Sequence, residues 1–323
     1  MTRNAHPPTL LFSSLSAKVA LYKGVLESAQ RYHEQATLIG ADCDPNCPAA
    51  SKVEAFSPIH ALADMDEGLL LEYCKKLKLT HIIPTRDGEL DFWASNQSAL
   101  AQHGIKVMVS NKEAIQLCQD KLLFYESMQK SSIPPIPTSE KITALSANQI
   151  VAKERTGSAA QSIGINLTVN EAFLHAEKLD CPIFQPMIDG KEFSAETWIS
   201  SAGNCHGMVL RWRTKVIEGE AHESEIFENR EWEERMRKTF ERINGLSGHV
   251  LAQVLVDADQ NLHLIEINPR LGGASPLALA AGLSSAEWFL LQSENRENEI
   301  PKVPSIIKDL KLKKENDRVQ IFR

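Results

Sequence analysis

The segment Leu264-Ile265-Glu266-Ile267-Asn268-Pro269-Arg270 decides how the fold of this chain is interpreted. Its apolar residues predict a β-strand, which ends at the proline because proline cannot supply the backbone N–H group that a sheet requires. Side chains alternate along a strand, so Glu266 and Asn268 share one face while Ile265 and Ile267 share the other. A carboxylate and an amide therefore point to the same side, next to a cationic arginine.

A second apolar run, residues 250–256, precedes this strand, and the polar segment 257–261 between them predicts a hairpin. If the hairpin has a four-residue loop, Gln253 lies opposite Glu266. Three oxygen-bearing side chains then converge, and oxygen ligands suit Mg²⁺, which proteins hold with few side chains plus water and substrate phosphates. The alternative is a solvated hairpin face without a metal. The small-residue loop 272–275 after the strand favours the metal site.

The segment 253–282 resembles the metal-binding hairpin of ATP-grasp enzymes, specifically of the carbamoyl-phosphate-synthase-like branch. In that family a Gln or Asp, followed by Glu-x-Asn-Pro-Arg, holds the magnesium ions that bridge the ATP phosphates. The resemblance implies that Gln253, Glu266 and Asn268 are metal ligands. It also implies that Arg270 contacts the transferring phosphoryl group or the intermediate.

Residues 151–164 give a weaker signal, a strand that ends near Lys153 and is followed by a small-residue loop. Lys153 is a point charge for a phosphate, and the backbone N–H groups of the loop, which begins at Gly157 and Ser158, can close over phosphates. Such a loop is also found in ordinary hairpins, but its position ahead of the Glu/Asn site favours phosphate binding. The family usually has Lys-Pro and more glycines, so Glu154 and the glycine-poor loop depart from its pattern.

Further positions resemble nucleotide contacts of the family. Lys121, at a predicted helix start, matches a basic residue that approaches the ATP phosphates; the alternative is a solvated helix position. The strand around Gln185 resembles the hinge whose backbone pairs with adenine, which implies contacts by Gln185, Met187 and Ile188. The alternative for this strand is a position in the core. Glu192 falls where the ribose-binding acid of the family lies.

Arg211, Arg213 and Lys215 alternate along one predicted strand and give it a dense positive face. The phosphates of ATP, an acyl phosphate or a substrate carboxylate would neutralise this face. Alternatively, the cations pair with acidic residues close in sequence, which are Glu218, Glu220, Glu223 and Glu225. A functional role is favoured for Arg213 alone, which we predict to be catalytic together with Arg270.

Over about the first hundred residues, short apolar runs alternate with amphipathic stretches, and this βαβα order predicts a parallel sheet with flanking helices. The proline-dense segment 131–137 cannot continue a helix and predicts a linker. We predict an α/β domain over residues 1–110, which resembles the domain that precedes ATP-grasp cores. An α+β ATP-grasp domain follows over residues 111–323, with a lid subdomain at about 140–187 and the metal-binding hairpin at about 249–275.

The composition is that of an ordinary globular protein, with 43% hydrophobic and 24% charged residues among 323. A net charge of -7 disfavours nucleic acid or an anionic membrane as the main partner. The apolar runs are far shorter than the ~20 residues of a membrane span. The first segment also lacks the apolar stretch of a signal peptide, so the cytoplasm is the expected compartment.

The family resemblance implies an ADP-forming ligase, in which ATP phosphorylates a carboxylate and an amine attacks the acyl phosphate. The expected ligands are ATP, Mg²⁺ with Mn²⁺ as a substitute, and small carboxylate and amine substrates; a homodimer is kept as an option. One alternative is phosphorylation of bicarbonate or carbamate, which the lack of duplicated halves and of a glutaminase segment disfavours. Another is an ATP-binding regulator without chemistry. A dinucleotide-dependent enzyme is disfavoured because the loop at 13–18 has no G-x-G-x-x-G.

Overall fold

The computed structural model describes residues 6–157, 162–301, 304–315 and 318–323. Its first sheet is parallel and is built from β1 (Thr9–Phe12), β2 (Thr37–Asp42), β3 (Phe56–Pro58), β4 (His81–Ile83) and β5 (Lys106–Val107). The strands run side by side in the order β3-β2-β1-β4-β5. The helices between them are α1 (Val19–Tyr32), α2 (Glu67–Lys76) and α3 (Leu90–Gln102). The predicted parallel sheet with flanking helices is confirmed.

Two short helices, α4 (Lys112–Gln119) and α5 (Lys121–Met128), lead out of this sheet. Asn111 caps α4 and Asp120 caps α5, and each side chain accepts hydrogen bonds from N–H groups in the first turn of its helix. Such caps satisfy donors that a helix start otherwise leaves without partners. The helix α5 begins at Lys121, where the sequence predicts a helix start.

A small antiparallel unit follows, formed by β6 (Ile150–Glu154), β7 (Gly164–Leu167), α6 (Val169–Ala176) and β8 (Pro182–Pro186). Its strands run in the order β7-β6-β8, and α6 packs on them. A separate apolar cluster that includes Ile150, Ala172 and Phe184 fills this unit. The unit coincides with the segment predicted to be the lid, and its role as a lid stays a prediction.

A large antiparallel sheet makes up the rest of the fold. Its strands are β9 (Lys191–Ile199), β10 (Cys205–Ile217), β11 (Glu220–Phe227), β12 (Gly248–Val256), β13 (Leu262–Asn268), β14 (Lys311–Glu315) and β15 (Arg318–Phe322). They run in the order β13-β12-β9-β10-β11-β14-β15, and α7 (Arg230–Phe240) packs on one face through Trp232, Met236 and Phe240. The α+β architecture is as predicted, although β11, β14 and β15 are not. The alternation of apolar and polar residues that predicts a strand is obscured in these three strands by charged residues, which pair across the strands.

The proline-dense segment 131–137 lies along the outer edge of β13. Ile136 N–H donates to the carbonyl of Leu264 at 3.0 Å, and Leu264 N–H donates to the carbonyl of Pro134 at 2.9 Å. Proline is tolerated here because an edge position does not require every N–H group. The segment predicted to be a linker therefore also covers the outer edge of the predicted metal-binding hairpin.

The chain returns to the first domain through α8 (Ser275–Ala281) and α9 (Ser285–Ser293), which both pack against α1. Arg31 on α1 donates from Nη1 to Ser284 Oγ at 2.5 Å, and Glu287 N–H donates to Ser28 Oγ at 3.1 Å. One apolar cluster accordingly contains residues from both ends of the chain. Within the described residues, no helix is both long and apolar enough to cross a membrane.

A buried charge network crosses the middle of the large sheet. Glu196 on β9 binds Arg211 on β10 at 2.6 Å and His249 on β12 at 2.9 Å, and each of these residues is at most 1% exposed. His249 also contacts Ser285 Oγ at 2.7 Å. Burial alone would raise the pKa of Glu196, but Arg211 and the hydrogen bond from His249 hold it at about 2. Three strands and α9 are thus joined through one carboxylate.

The exchange Glu196→Gln removes the charge that compensates the buried Arg211. We expect the free energy of unfolding to fall by about 3 kcal/mol, because breaking a buried pair leaves an uncompensated charge. Urea denaturation followed by circular dichroism measures this. The matched control is Glu225→Gln. Glu225 pairs with Lys311, and both side chains are 46% exposed, so this variant should lower the free energy of unfolding by less than about 1 kcal/mol. Equal losses in the two variants would contradict the stabilising role of Glu196.

Candidate active site

The hairpin of β12 and β13 brings the predicted metal ligands together. Gln253 pairs with Glu266 across the two strands, as the sequence predicts. The expected four-residue loop is not found: Val256 pairs with Leu262, so the turn spans residues 257–261, and a bulge farther along restores the register. Bulges of this kind often adjoin functional sites, where they re-aim side chains.

The bulge also changes the environment of the side chains on β13. Asn268 Nδ2 donates a hydrogen bond to Glu266 Oε1 at 2.7 Å, so the two polar groups lie together as predicted. Ile267 is 1% exposed and belongs to the core, whereas Ile265 is half-buried and outside the core clusters of the described residues. The two isoleucines are therefore not equivalent, because the bulge interrupts the strict alternation that the sequence pattern assumes.

The chemistry of this donor set suits a magnesium ion. Asn268 directs its amide nitrogen to Glu266, which leaves its carbonyl oxygen for another partner, and Gln253 lies directly across the hairpin. Magnesium is typically held by one or two carboxylates together with substrate phosphates. The described residues contain no group of three or more His, Cys, Asp or Glu side chains that could hold a metal.

Lys153 lies near the end of β6, close enough to Glu266 for the two charges to interact. Burial lowers the pKa of Lys153 to about 8, Glu266 opposes this change, and the nearby Lys121 adds to it. A negative group placed next to such a lysine restores its charged form. The side chain is therefore suited to bind a phosphate.

Lys121 begins α5 and reaches the loop that follows β6. Its Nζ donates to the carbonyl of Gly157 at 3.0 Å, and its backbone N–H donates to the carbonyl of Arg155 at 3.0 Å. Arg155 in turn pairs with Asp120, the cap of α5, at 2.7 Å. Burial lowers the pKa of Lys121, and Glu266 opposes this. The start of α5 and the loop are thus held together beside the metal hairpin.

Gly157 has a φ of 104°, which side chains rarely allow, and no atom of the described residues lies within 4 Å of the position that a Cβ would take. Ser158 lies outside the described residues, so its phosphate contact stays a prediction.

Glu154 departs from the family pattern, and its carboxylate accepts hydrogen bonds from the N–H groups of Asp180 at 2.8 Å and Cys181 at 2.9 Å. This glutamate therefore ties β6 to the start of β8.

The predicted adenine hinge comprises β8 and the residues after it. Gln185 is 5% exposed and donates from Nε2 to Thr138 Oγ1 at 2.8 Å, so its side chain belongs to the interior. Met187 N–H donates to the carbonyl of Gln149 at 2.8 Å. An adenine contact of Met187 would therefore use its carbonyl oxygen, and Ile188 follows at the end of the hinge.

Glu192 and Arg213, predicted to bind ribose and to act in catalysis, form an ion pair with each other. Arg213 Nε lies 2.8 Å from Glu192 Oε1, but neither atom has a well-aligned hydrogen bond to another described residue. Burial raises the pKa of Glu192 and lowers that of Arg213 in spite of their attraction. Both groups would therefore gain from a hydrogen-bonding ligand. Arg211 and Arg213 thus pair with glutamates of β9, and not with those at 218–225.

Arg270 follows the metal hairpin and contacts the first domain. Its Nε donates to Asp87 Oδ1 at 2.7 Å, and its Nη2 donates to Asp87 Oδ2. Burial would lower the pKa of Arg270, but Asp87 and Glu266 raise it. Asp87 is not among the residues predicted from the sequence, although the topology offers a signal. Asp87 follows β4, and open α/β sheets bind ligands at the carboxyl ends of their strands.

The fold and the site together define a class of protein. A parallel α/β domain is followed by an antiparallel domain, which contains a small three-stranded unit and the hairpin that carries Gln253, Glu266 and Asn268. Residues 118–274 match the family model described as ATP-grasp domain, and residues 10–108 match the PylC-like N-terminal domain. The chain therefore contains an ATP-grasp domain. A search of curated proteins gave no match.

Solved structures of ATP-grasp enzymes share the fold. Biotin carboxylase from Campylobacter jejuni, in complex with β-γ-ATP, has a TM-score of 0.73 at 16% identity, over 95% of this chain and 75% of its own. N5-carboxyaminoimidazole synthetase from Staphylococcus aureus, with ADP, has a TM-score of 0.71 at 17% identity, over 95% and 82%. L-amino acid ligase from Bacillus licheniformis has a TM-score of 0.69 at 15% identity, over 96% and 79%.

The lowered pKa of Lys153 predicts pH-dependent nucleotide binding. The charged lysine binds phosphate, so its contribution is present below a pKa of about 8 and is lost above it. We expect the affinity for MgADP to fall about tenfold between pH 7 and pH 9, as the charged fraction falls. Titration calorimetry at constant ionic strength measures this change. The control Lys153→Arg stays charged over the range and should give a flatter profile; an equally steep profile would contradict the assignment.

Proposed function

We infer that this protein is a magnesium-dependent ligase that forms ADP while joining a carboxylate to an amine through an acyl phosphate. The observation that carries this inference is the convergence of Lys121, Lys153 and Arg270 on Glu266. Phosphoryl transfer needs little covalent chemistry from a protein and depends on positioning and on neutralising charge. Three half-buried cations around one carboxylate supply both.

The nucleotide would lie between the small antiparallel unit and the large sheet. Lys121 and Lys153 would hold its phosphates, assisted by the backbone of the loop at Gly157 and Ser158. The strand ending in Gln185, Met187 and Ile188 would contact adenine through its backbone. Glu192 would bind ribose through Oε2, because its other oxygen, Oε1, lies 2.8 Å from Arg213 Nε.

Gln253, Glu266 and Asn268 would hold Mg²⁺, because they combine one carboxylate with two amides in the register described above. When bound, the ion supplies Lewis-acid charge neutralisation on the phosphate oxygens. Arg270 would stabilise the negative charge on the transferring group. Arg213, held by Glu192 without an aligned hydrogen bond, would contact the substrate carboxylate or the acyl phosphate.

An acyl phosphate reacts readily with water, so the reaction requires a closed site. The small unit at 140–187 would provide that closure as a lid. The amine then attacks the acyl carbon, its nitrogen forms the new bond, and inorganic phosphate leaves. None of these steps needs a nucleophilic side chain.

The structural relatives include enzymes with different acceptors, and their likeness at under 25% identity concerns the fold. An amino acid ligase among them favours amino acids as first candidates for both substrates. Bicarbonate is a further candidate substrate, because the structure of a biotin carboxylase domain with a similar fold was solved with MgADP and bicarbonate. The domain boundary at residue 110, Mn²⁺ substitution, a homodimer and a cytoplasmic location stay predictions.

A substrate screen tests the proposal directly. ADP and phosphate release are measured over amino acids and small carboxylates, each with and without an amine, and with bicarbonate. We expect release that requires both a carboxylate and an amine. The variant Glu266→Ala should lose about 100-fold or more in turnover, because it removes the carboxylate proposed to hold the Mg²⁺ that neutralises the phosphate oxygens.

The matched control for this variant is Asp259→Ala, an exposed acid at the turn of the same hairpin. It should keep the activity of the unmodified protein. Full activity of Glu266→Ala with MgATP would refute the metal assignment. ADP release that needs no amine would refute the ligase proposal in favour of carboxylate phosphorylation, and nucleotide binding without turnover would identify a regulator.

A further inference from the structure

Arg270 connects the large sheet to the first sheet through one carboxylate, that of Asp87. The arginine follows β13 of the large sheet, whereas Asp87 lies in the turn after β4 of the first sheet. The two side chains are 17% and 13% exposed. Their contact uses both oxygens of Asp87 and both nitrogens on one edge of the guanidinium, which are Nε and Nη2.

A count of donors shows what this contact leaves for a ligand. A guanidinium carries five N–H groups. Asp87 accepts from Nε and Nη2, and the carbonyl of Leu271 accepts from Nη1 at 3.1 Å. Among the contacts of the described residues, one N–H on Nη1 and one on Nη2 are left. These two groups form the second bidentate edge, which matches two oxygens of a phosphate or a carboxylate.

Asp87 is itself held firmly. Its backbone carbonyl accepts a hydrogen bond from Gln119 Nε2 at 2.8 Å, which fastens the turn to α4. Glu89, two residues on, is fully buried and accepts hydrogen bonds from Thr85 N–H at 2.7 Å and Trp93 Nε1 at 3.0 Å. The turn that carries Asp87 is thus fixed from both sides.

We propose that Asp87 is a positioning residue that orients Arg270 so that its free edge meets the transferring phosphoryl group or the acyl phosphate. The first domain thereby contributes to catalysis through a side chain that touches no substrate. The inference rests on the proposed function for the identity of the anion, but the orientation of Arg270 does not depend on it. A misaligned arginine would bind the anion with one N–H group and not two.

The test combines Asp87→Asn, Arg270→Lys and the double variant, with Asp91→Asn as the matched control. Asp91 lies four positions farther along and forms an exposed ion pair with Lys112 at 3.5 Å. With the substrates found in the screen, we expect Asp87→Asn to lower kcat about 100-fold, because small misplacements at a reacting centre have effects of this size. KM for ATP should change less than about twofold, since Lys121 and Lys153 are untouched.

The double variant separates positioning from a general structural effect. Lysine cannot use a bidentate edge, so Asp87→Asn should lower kcat by less than about twofold further in the Arg270→Lys background. Full multiplication of the two losses would overturn the proposal. So would a kcat of Asp87→Asn equal to that of Asp91→Asn.

A spectroscopic measurement decides the same question without turnover. The ¹⁵Nε–H signal of Arg270, assigned with Arg270→Lys, should exchange slowly with water in the unmodified protein and in Asp91→Asn. It should exchange at least about tenfold faster in Asp87→Asn, because the carboxylate that shields it is gone. Unchanged exchange would overturn the positioning role even if ligase activity is found. Fast exchange only in Asp87→Asn would support that role even if the screen finds no substrate.

Discussion

The negative charge of Glu266 is the interaction on which the rest of the candidate site depends. Lys121, Lys153 and Arg270 come from three separate parts of the chain and lie near Glu266, where burial disfavours their charged forms. Glu266 raises the pKa of all three and so keeps cations close together before any nucleotide arrives. A phosphate that enters then takes over part of this task. The same carboxylate therefore both holds these cations together and is the acid that we propose as a ligand for Mg²⁺.

The location of Glu266 depends in turn on the large sheet. β12 pairs with β9 on one side and with β13 on the other, so an error in either register would move the carboxylate away from the cations. The buried contacts of Glu196 with Arg211 and His249 connect β9, β10 and β12 beneath the site. A charge network of this kind specifies one alignment of the strands, because any slip would leave a buried charge without a partner. Packing and catalysis thus rely on neighbouring parts of one sheet.

Local patterns were sufficient for much of this arrangement. The βαβα order and the helix start at Lys121 follow from patterns within short segments, whereas the pairing of Gln253 with Glu266 is correct only because a bulge compensates for a turn one residue longer than expected. Two kinds of feature could not be derived in this way. The bulge on the metal hairpin depends on the pairing of both strands, and a sequence shows no register. Asp87 acts on Arg270, 183 residues away, and Glu196 acts on His249, 53 residues away, so only the folded chain reveals these contacts.

The packing of α8 and α9 against α1 has a consequence for how the protein is made. α1 emerges early in synthesis, yet its apolar face is covered by helices that are translated more than 240 residues later. The first sheet can therefore form as soon as its strands exist. The apolar face of α1, however, stays exposed to water until the chain is nearly complete. Contacts so distant in sequence slow folding and leave apolar surface exposed meanwhile. The nascent chain is thus an expected client of chaperones, and a truncation before α8 would aggregate even with every nucleotide-binding residue in place.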